Sequence, residues 1–188
     1  MTTIYFVRHA LPDRSDPDNR NRALLPDGRE DARIVAETLK GRKIDAVLCS
    51  PYRRSLETVR ETAELFGMTI RTDERLRERR TGIPAEGLAR HPERWKSPVW
   101  EESWGESPAD VRTRYLDWLG DALAEYRGKS IVVGSHGTAL SILMNAILPD
   151  AFGYDFFLRT MRWMPYILRV DFDGDRPVGH EMLAYVEK

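Results

Sequence analysis

The chain has 188 residues, 41% hydrophobic and 31% charged, which fits one folded domain over 1–188 with a full apolar core. With 29 Lys and Arg against 30 Asp and Glu the formal net charge is −1, which excludes both an acidic disordered chain and a nucleic-acid binder that neutralises many phosphates. The one cysteine, Cys49, excludes an intrachain disulfide and points to a reducing compartment; lacking a signal-peptide pattern or an apolar run near the roughly 20 residues that span a bilayer, the chain reads as cytoplasmic with no membrane partner.

Ile4, Tyr5, Phe6 and Val7 form a short β-rich run that reads as a buried first strand. From Asp27 onward Ala32, Val35, Ala36 and Leu39 recur at helical spacing, and Gly41 stops the pattern. Ala46, Val47, Leu48 and Cys49 make a second strand, ending at Ser50 and Pro51. A helix is expected from about Tyr52 to Phe66, with Leu56, Val59 and Ala63 inward and Gly67 closing it. Residues 71–82 are heavily charged without a clear period. Residues 83–107 hold Trp95, Trp100, Trp104 and several prolines, and read as a long excursion with room for one short helix. Ser107 suits an N-cap and Pro108 the first helical position, ahead of an apolar stripe of Val111, Tyr115, Trp118, Leu119, Ala122 and Tyr126. Ile131, Val132 and Val133 form a third strand, followed by Gly134, Ser135, His136 and Gly137, and then by an apolar helix that stops at Pro149. Residues 166–172 and 178–186 read as a hairpin turning at Asp173 and Gly174. Short apolar strands alternating with amphipathic helices predict an α/β fold, a three-layer α/β/α sandwich around a mostly parallel sheet.

In such a sheet the active site forms beyond the carboxyl ends of the strands. Arg8 and His9 follow the first strand, Ser50 to Arg54 the second, and Ser135, His136 and Gly137 the third. Two of the four histidines therefore fall at equivalent strand ends, near several arginines; His91 and His180 do not. A neutral imidazole is a competent nucleophile, and neighbouring cations such as Arg8 and Arg54 disfavour its protonation. Guanidinium forks match phosphoryl oxygens, so these parts describe phosphoryl transfer to a histidine. A leaving alkoxide also needs a proton, for which Glu78 is the candidate, with a solvated carboxylate in a charge run as the alternative. Both rings must approach one phosphoryl group, so they must lie within about 10 Å of each other.

These residues resemble the histidine phosphatase superfamily, in the branch that includes phosphoglycerate mutase and related phosphatases. Arg8-His9 is similar to the Arg-His-Gly signature of that family, and residues 50–58 to Ser-Pro-x-x-Arg-x-x-x-Thr, which selects Arg54 over Arg53. Leu76-Arg77-Glu78 resembles the proton-donor segment, Gly105-Glu106-Ser107 a step before a long helix, and Ser135-His136-Gly137 the element with the second histidine. The resemblance implies that His9 is phosphorylated, that Arg8, Arg54 and His136 hold the phosphoryl oxygens, and that Glu78 protonates the leaving group. It implies no metal and no other cofactor, with the backbone N–H of Gly137 as a further donor. Ala10 replaces the signature glycine and Leu11-Pro12 also departs, so no substrate contact is carried over from that loop.

The expected function is a metal-independent phosphatase, a hydrolase taking a small phosphomonoester. The alternatives are a bisphosphoglycerate-dependent mutase, which such chains exceed 188 residues to perform, and a non-catalytic phosphate-binding module of the same fold. Arg79 is the best candidate for an acidic group beyond the reacting phosphate, with surface salt bridging the alternative. Cys49 reads as a small apolar filler, and Asp171, Asp173 and Asp175 as hairpin-turn residues rather than a calcium loop. The tryptophans are either an apolar wall over the site or ordinary packing. The physiological substrate is open, and so is the oligomeric state, a homodimer included.

Overall fold

The computed structural model describes residues 1–81, Trp95 and 105–188. Strand β1 (Thr2–Arg8) is followed by α1 (Pro26–Leu39), β2 (Ala46–Cys49), α2 (Arg53–Leu65), β3 (Ile70–Thr72) and a 3-10 turn at Glu74–Leu76. Then come α3 (Pro108–Glu125), β4 (Ser130–Ser135), α4 (Gly137–Ile147), α5 (Tyr154–Thr160), β5 (Trp163–Asp173) and β6 (Arg176–Glu187). The six strands form one sheet in the order β3-β2-β4-β1-β5-β6. The first four run parallel, whereas β5 is antiparallel to β1 and β6 to β5.

The central strands are apolar on both sides because helices cover both. Ile4 and Phe6 of β1, with Ile131 and Val133 of β4, pack in a cluster with Tyr115, Trp118, Leu140 and Phe156 of α3, α4 and α5. Tyr5, Val7 and Val132, one residue out of phase, pack with Val35 and Leu39 of α1 and Val59 and Ala63 of α2. A strand alternates its side chains between faces, so a continuous apolar run is what burial on both faces requires. These two clusters make the three layers that the strand and helix alternation predicts.

The helix boundaries follow their local signals. Ser107 Oγ accepts the Asp110 N–H at 3.1 Å while the Asp110 carboxylate accepts the Ser107 N–H at 3.0 Å, a capping box with Pro108 inside it. Gly174 turns the β5–β6 hairpin at φ 63°. Three elements differ from expectation. Strand β3 lies within the charged stretch without a period, because as a three-residue edge strand with Arg71 and Thr72 exposed it has no buried face to pattern. Helix α5 follows Pro149 unannounced, its seven residues being too few to show a helical period. Strand β5 begins at Trp163, three residues before the expected start. The expected excursion lies outside the described residues except for 105–107 and Trp95, whose ring stacks on Phe157 at 4.8 Å between centroids. Among the described residues no helix is long and apolar enough to cross a membrane.

The charged segment after β3 is fastened to α3 by a buried ion pair. The Glu106 carboxylate, 6% exposed, accepts from Arg114 Nε at 3.1 Å, from the Arg80 N–H at 2.8 Å and from Arg77. Arg114 in turn donates to the carbonyls of Arg75, Arg77 and Glu78 at 2.6, 2.9 and 3.3 Å. Burial pushes the Glu106 carboxyl up, but Arg114 and the Arg80 amide outweigh it and hold it below the usual glutamate value. Removing one partner of such a pair strands a buried charge, so Glu106→Ala is expected to lose roughly 3–5 kcal/mol in urea denaturation. A loss under about 1 kcal/mol would show that the segment holds itself in place.

Candidate active site

The site assembles where adjacent parallel strands end together. Arg8 of β1 pairs with Ser135 of β4, and the His9 N–H donates to the Ser135 carbonyl at 3.1 Å. On the other side of β4, the Ser50 N–H donates to the Gly134 carbonyl at 2.8 Å. Ser50, His136 and His9 thus stand in a row across the ends of β2, β4 and β1, although 86 positions separate the first two in the chain. The His9 and His136 rings lie 5.2 Å apart between centroids at an interplanar angle of 63°.

Each ring is fixed by a hydrogen bond. His9 Nδ1 donates to the Ala10 carbonyl at 2.7 Å, which leaves Nε2 with its lone pair. Ser50 Oγ accepts the Tyr52 N–H at 3.3 Å and is hydrogen-bonded to His136 Nε2 at 2.7 Å. His136 Nδ1 is buried and has no hydrogen-bond partner, and the same is true of Arg8 Nε. Burial above all, then Arg54 and Arg8, holds the His9 imidazole well below its ordinary value of 6.5. The same burial, with Arg54 and His9 next, acts on His136.

The arginines are buried with neutral partners. Arg8 is 7% exposed and donates to the Trp163 carbonyl at 3.1 Å. Arg54 is 3% exposed, donates to the Asn19 carbonyl and lies over the Tyr52 ring at 5.1 Å, whereas Arg53 is exposed and pairs with Glu57. Burial lowers the Arg54 guanidinium to about 10, where it remains a cation at neutral pH. A Cβ on Gly137 would stand 2.7 Å from Arg8 Cζ and Nε, so only glycine admits this guanidinium against the start of α4.

Glu78 takes the N-terminus of α4. Its carboxylate accepts the Thr138 N–H at 3.2 Å, the Ala139 N–H at 3.0 Å and the Arg79 N–H at 2.8 Å. These are amides that a helix start leaves without intrahelical partners. Glu78 is therefore anchored rather than part of a solvated charge run. Arg79 is also buried, at 2% exposed, and donates to the Glu106 carbonyl at 2.9 Å.

Arg8, His9, Arg54, Glu78, Arg79 and Gly137 line one cavity of about 650 Å³. His136 lies directly behind it, fully buried. Ala10 does not line the cavity; it packs with Leu24 and Ala32, and its N–H donates to Thr58 Oγ1 at 3.0 Å. The methyl in place of the signature glycine thus fills a small apolar contact instead of narrowing the site. Among the described residues no group of three His, Cys, Asp or Glu side chains converges as a metal site would. The Cys49 thiol is buried, pushed up to about 12 by that burial, and donates to Ser55 Oγ at 3.3 Å.

Ser50, Thr58, Glu106 and Arg114 support the site; the sequence motifs include the first three but assign none of them a role. Ser50 and Thr58 lie within the Ser-Pro and Thr ends of the second motif, and that signal was readable; Arg114 lies on α3 with no motif around it. Arg14 and Arg22, from the loop after β1, also line the cavity.

Known proteins share both sequence and architecture with this chain. It is 26% identical over 162 residues to a probable phosphoglycerate mutase GpmB of Yersinia enterocolitica, covering 79% of this chain and 75% of that protein. The corresponding protein of Serratia proteamaculans is 27% identical over the same shares. The mycobacterial glucosyl-3-phosphoglycerate phosphatase superposes with a TM-score of 0.68 at 21% identity, covering 96% of each chain. A phosphoserine phosphatase of Entamoeba histolytica gives 0.73 at 19%, covering 98% of this chain and 96% of that one. At such identities the structures show a shared fold. The model of the histidine phosphatase superfamily (branch 1) matches residues 4–181, and by that match the chain belongs to this superfamily.

Proposed function

We propose that this protein is a metal-independent phosphatase that hydrolyses a small phosphomonoester through a phosphohistidine. The observation that carries this reading is a neutral His9, its Nε2 free of its own N–H, packed against His136 and accompanied by two buried nitrogens without partners, Arg8 Nε and His136 Nδ1. Leaving a buried polar group unsatisfied costs about 1–3 kcal/mol, a cost that a phosphoryl group drawn in against these nitrogens would offset.

In this reading His9 Nε2 attacks phosphorus in line, forming the N–P bond as the ester P–O bond breaks. Arg8, Arg54 and His136 hold the equatorial oxygens, and Gly137 lets the Arg8 fork approach. Glu78 gives its proton to the leaving oxygen. It then takes a proton from the water that attacks phospho-His9, which returns the imidazole and releases phosphate. The cationic side chains supply the charge stabilisation that a metal supplies elsewhere.

A second reading, a phosphoglycerate mutase, is favoured by the names of the GpmB relatives. It uses the same phosphohistidine but returns the phosphoryl group to a phosphoglycerate. With 3-phosphoglycerate and a trace of 2,3-bisphosphoglycerate, phosphate release is expected to exceed isomerisation; the reverse would establish the mutase.

Hydrolysis of an aryl phosphate in excess chelator is expected to proceed in the parent and vanish in His9→Ala. Equal rates in both would overturn the mechanism, and loss on chelation would point to a metallohydrolase. Glu78→Gln is expected to slow alkyl phosphates about 10²–10⁴-fold and aryl phosphates less, since a better leaving group needs less protonation. Uniform slowing would remove Glu78 from the acid role.

Because His9 and His136 are held below 6.5 in the folded state, the unfolded chain takes up their protons first as the pH falls. Their contribution to stability is full above 6.5 and declines from there towards the folded values. Imidazole nitrogen shifts recorded by NMR are expected to stay at neutral values for both rings as the folded protein passes from pH 7.5 to about 5.5. Titration of either ring near 6.5 would contradict a neutral nucleophile.

A further inference from the structure

The second motif, Ser-Pro-x-x-Arg, leaves position 52 open, and this chain fills it with tyrosine. Tyr52 stands at the N-cap of α2, two residues before Arg54, in extended backbone at φ −73° and ψ 131°. Its backbone is fixed on both sides. The N–H donates to Ser50 Oγ at 3.3 Å, and the carbonyl accepts the N–H groups of Ser55 and Leu56 at 2.9 and 3.1 Å. An N-cap ordinarily suits a small polar residue whose side chain accepts from the helix start. Tyr52 makes no such bond and is 7% exposed, so its burial there reflects what its ring touches.

The ring touches two members of the proposed phosphoryl cup. It meets the His136 ring at 5.1 Å between centroids and an interplanar angle of 70°, an edge-to-face contact that fixes the plane of the tyrosine. The Arg54 guanidinium lies over the same ring, its Cζ 5.1 Å from the centroid. Arg20 also lies over it, at 5.7 Å, but that side chain is exposed and paired with Glu74. Arg54 is 3% exposed, donates to the Asn19 carbonyl and forms no ion pair among the described residues. An aromatic face thus stands where a buried cation would otherwise call for a carboxylate.

That exchange has a chemical consequence. A carboxylate would occupy the guanidinium fork edge-on and neutralise its charge, and both are needed for phosphoryl oxygens. An aromatic face attracts the cation through its quadrupole and leaves free the N–H groups, which lie in the guanidinium plane. We propose that Tyr52 is a positioning residue of the phosphoryl cup, its ring holding the Arg54 guanidinium with the fork open to a phosphoryl group. This rests on the phosphatase reading of the cavity, which assigns Arg54 to phosphoryl oxygens.

The test is titration of the full-length protein with inorganic phosphate, followed by phosphorus NMR, with hydrolysis of an aryl phosphate measured beside it. Tyr52→Phe keeps the aromatic face and is expected to stay within about twofold of the parent in both. Tyr52→Leu keeps an apolar side chain without that face, and is expected to lower phosphate affinity and kcat/KM about tenfold, the effect of one desolvated cation–π contact. Mono-, di- and trifluorinated phenylalanine at position 52 retain the ring's shape while draining its negative face, so phosphate affinity should fall stepwise along the series even if the leucine variant folds poorly. In an Arg54→Gln background, Tyr52→Leu should change phosphate affinity by less than about twofold, because the contact it removes is already gone. A residue that merely fills space would show neither the fluorine trend nor the dependence on Arg54. Parent-like affinity in Tyr52→Leu, a flat fluorinated series, or an undiminished loss in the Arg54→Gln background would overturn the proposal. A parent that binds phosphate without hydrolysing aryl phosphates would overturn the catalytic reading, and the titrations would still judge Tyr52.

Discussion

The site depends on keeping an imidazole uncharged in the middle of a cluster of guanidinium groups. His9 and His136 are buried, and the arginines proposed to bind a phosphoryl group make protonation of either ring unfavourable. In the proposed reaction one arrangement therefore does two things, keeping the attacking imidazole neutral and attracting the anion. The hydrogen bonds then select atoms. The Ala10 carbonyl takes the Nδ1 proton of His9, and the Ser50 hydroxyl holds the Nε2 of His136. A lysine at either arginine position would keep the charge but lose the planar fork and its fixed directions.

A second constraint acts on Glu78, which reaches the cavity from a segment without regular structure. Two anchors replace the missing secondary structure. The start of α4 offers its amides to the carboxylate, and the Glu106–Arg114 pair binds the carbonyls of the same segment from α3. Helix α4 is thus shared between two tasks, since its first residue, Gly137, also makes room for Arg8. The capping box at Ser107 and Asp110 sets where α3 begins and so where Arg114 stands relative to Glu106. The conformation of one exposed-looking charged run is in this way determined by two helices far from it in sequence.

The strand ends carry the residues of the proposed phosphoryl cup, whereas the loops carry what surrounds it. The cup residues follow β1, β2 and β4, the strands with the most completely buried surroundings, and architecture of this kind recurs in proteins that share only about a fifth of their residues with this chain. The loop from Leu11 to Leu25, which departs most from the family signature, contributes Arg14 and Arg22.

The sequence by itself determined the central strands, the helices α1 to α4, the hairpin, and the identity of His9, Arg54, Glu78 and His136 as the residues of interest. Each of these has a local signal: apolar runs at buried strands, helical spacing with caps, and short motifs placed just after strands. It did not show β3 or α5, which are too short or too exposed to carry a period, nor the state of Glu78 and Arg79, which read as plausible surface charge until the helices closed over them. Only the tertiary structure brought Ser50, His136 and His9 into one row, because strand order is a property of sheet pairing rather than of position along the chain. It alone placed Arg114 behind Glu78 and moved the Ala10 methyl out of the cavity. Those outcomes depend on long-range packing, in which a side chain's neighbours come from elements distant in sequence and leave no pattern beside it.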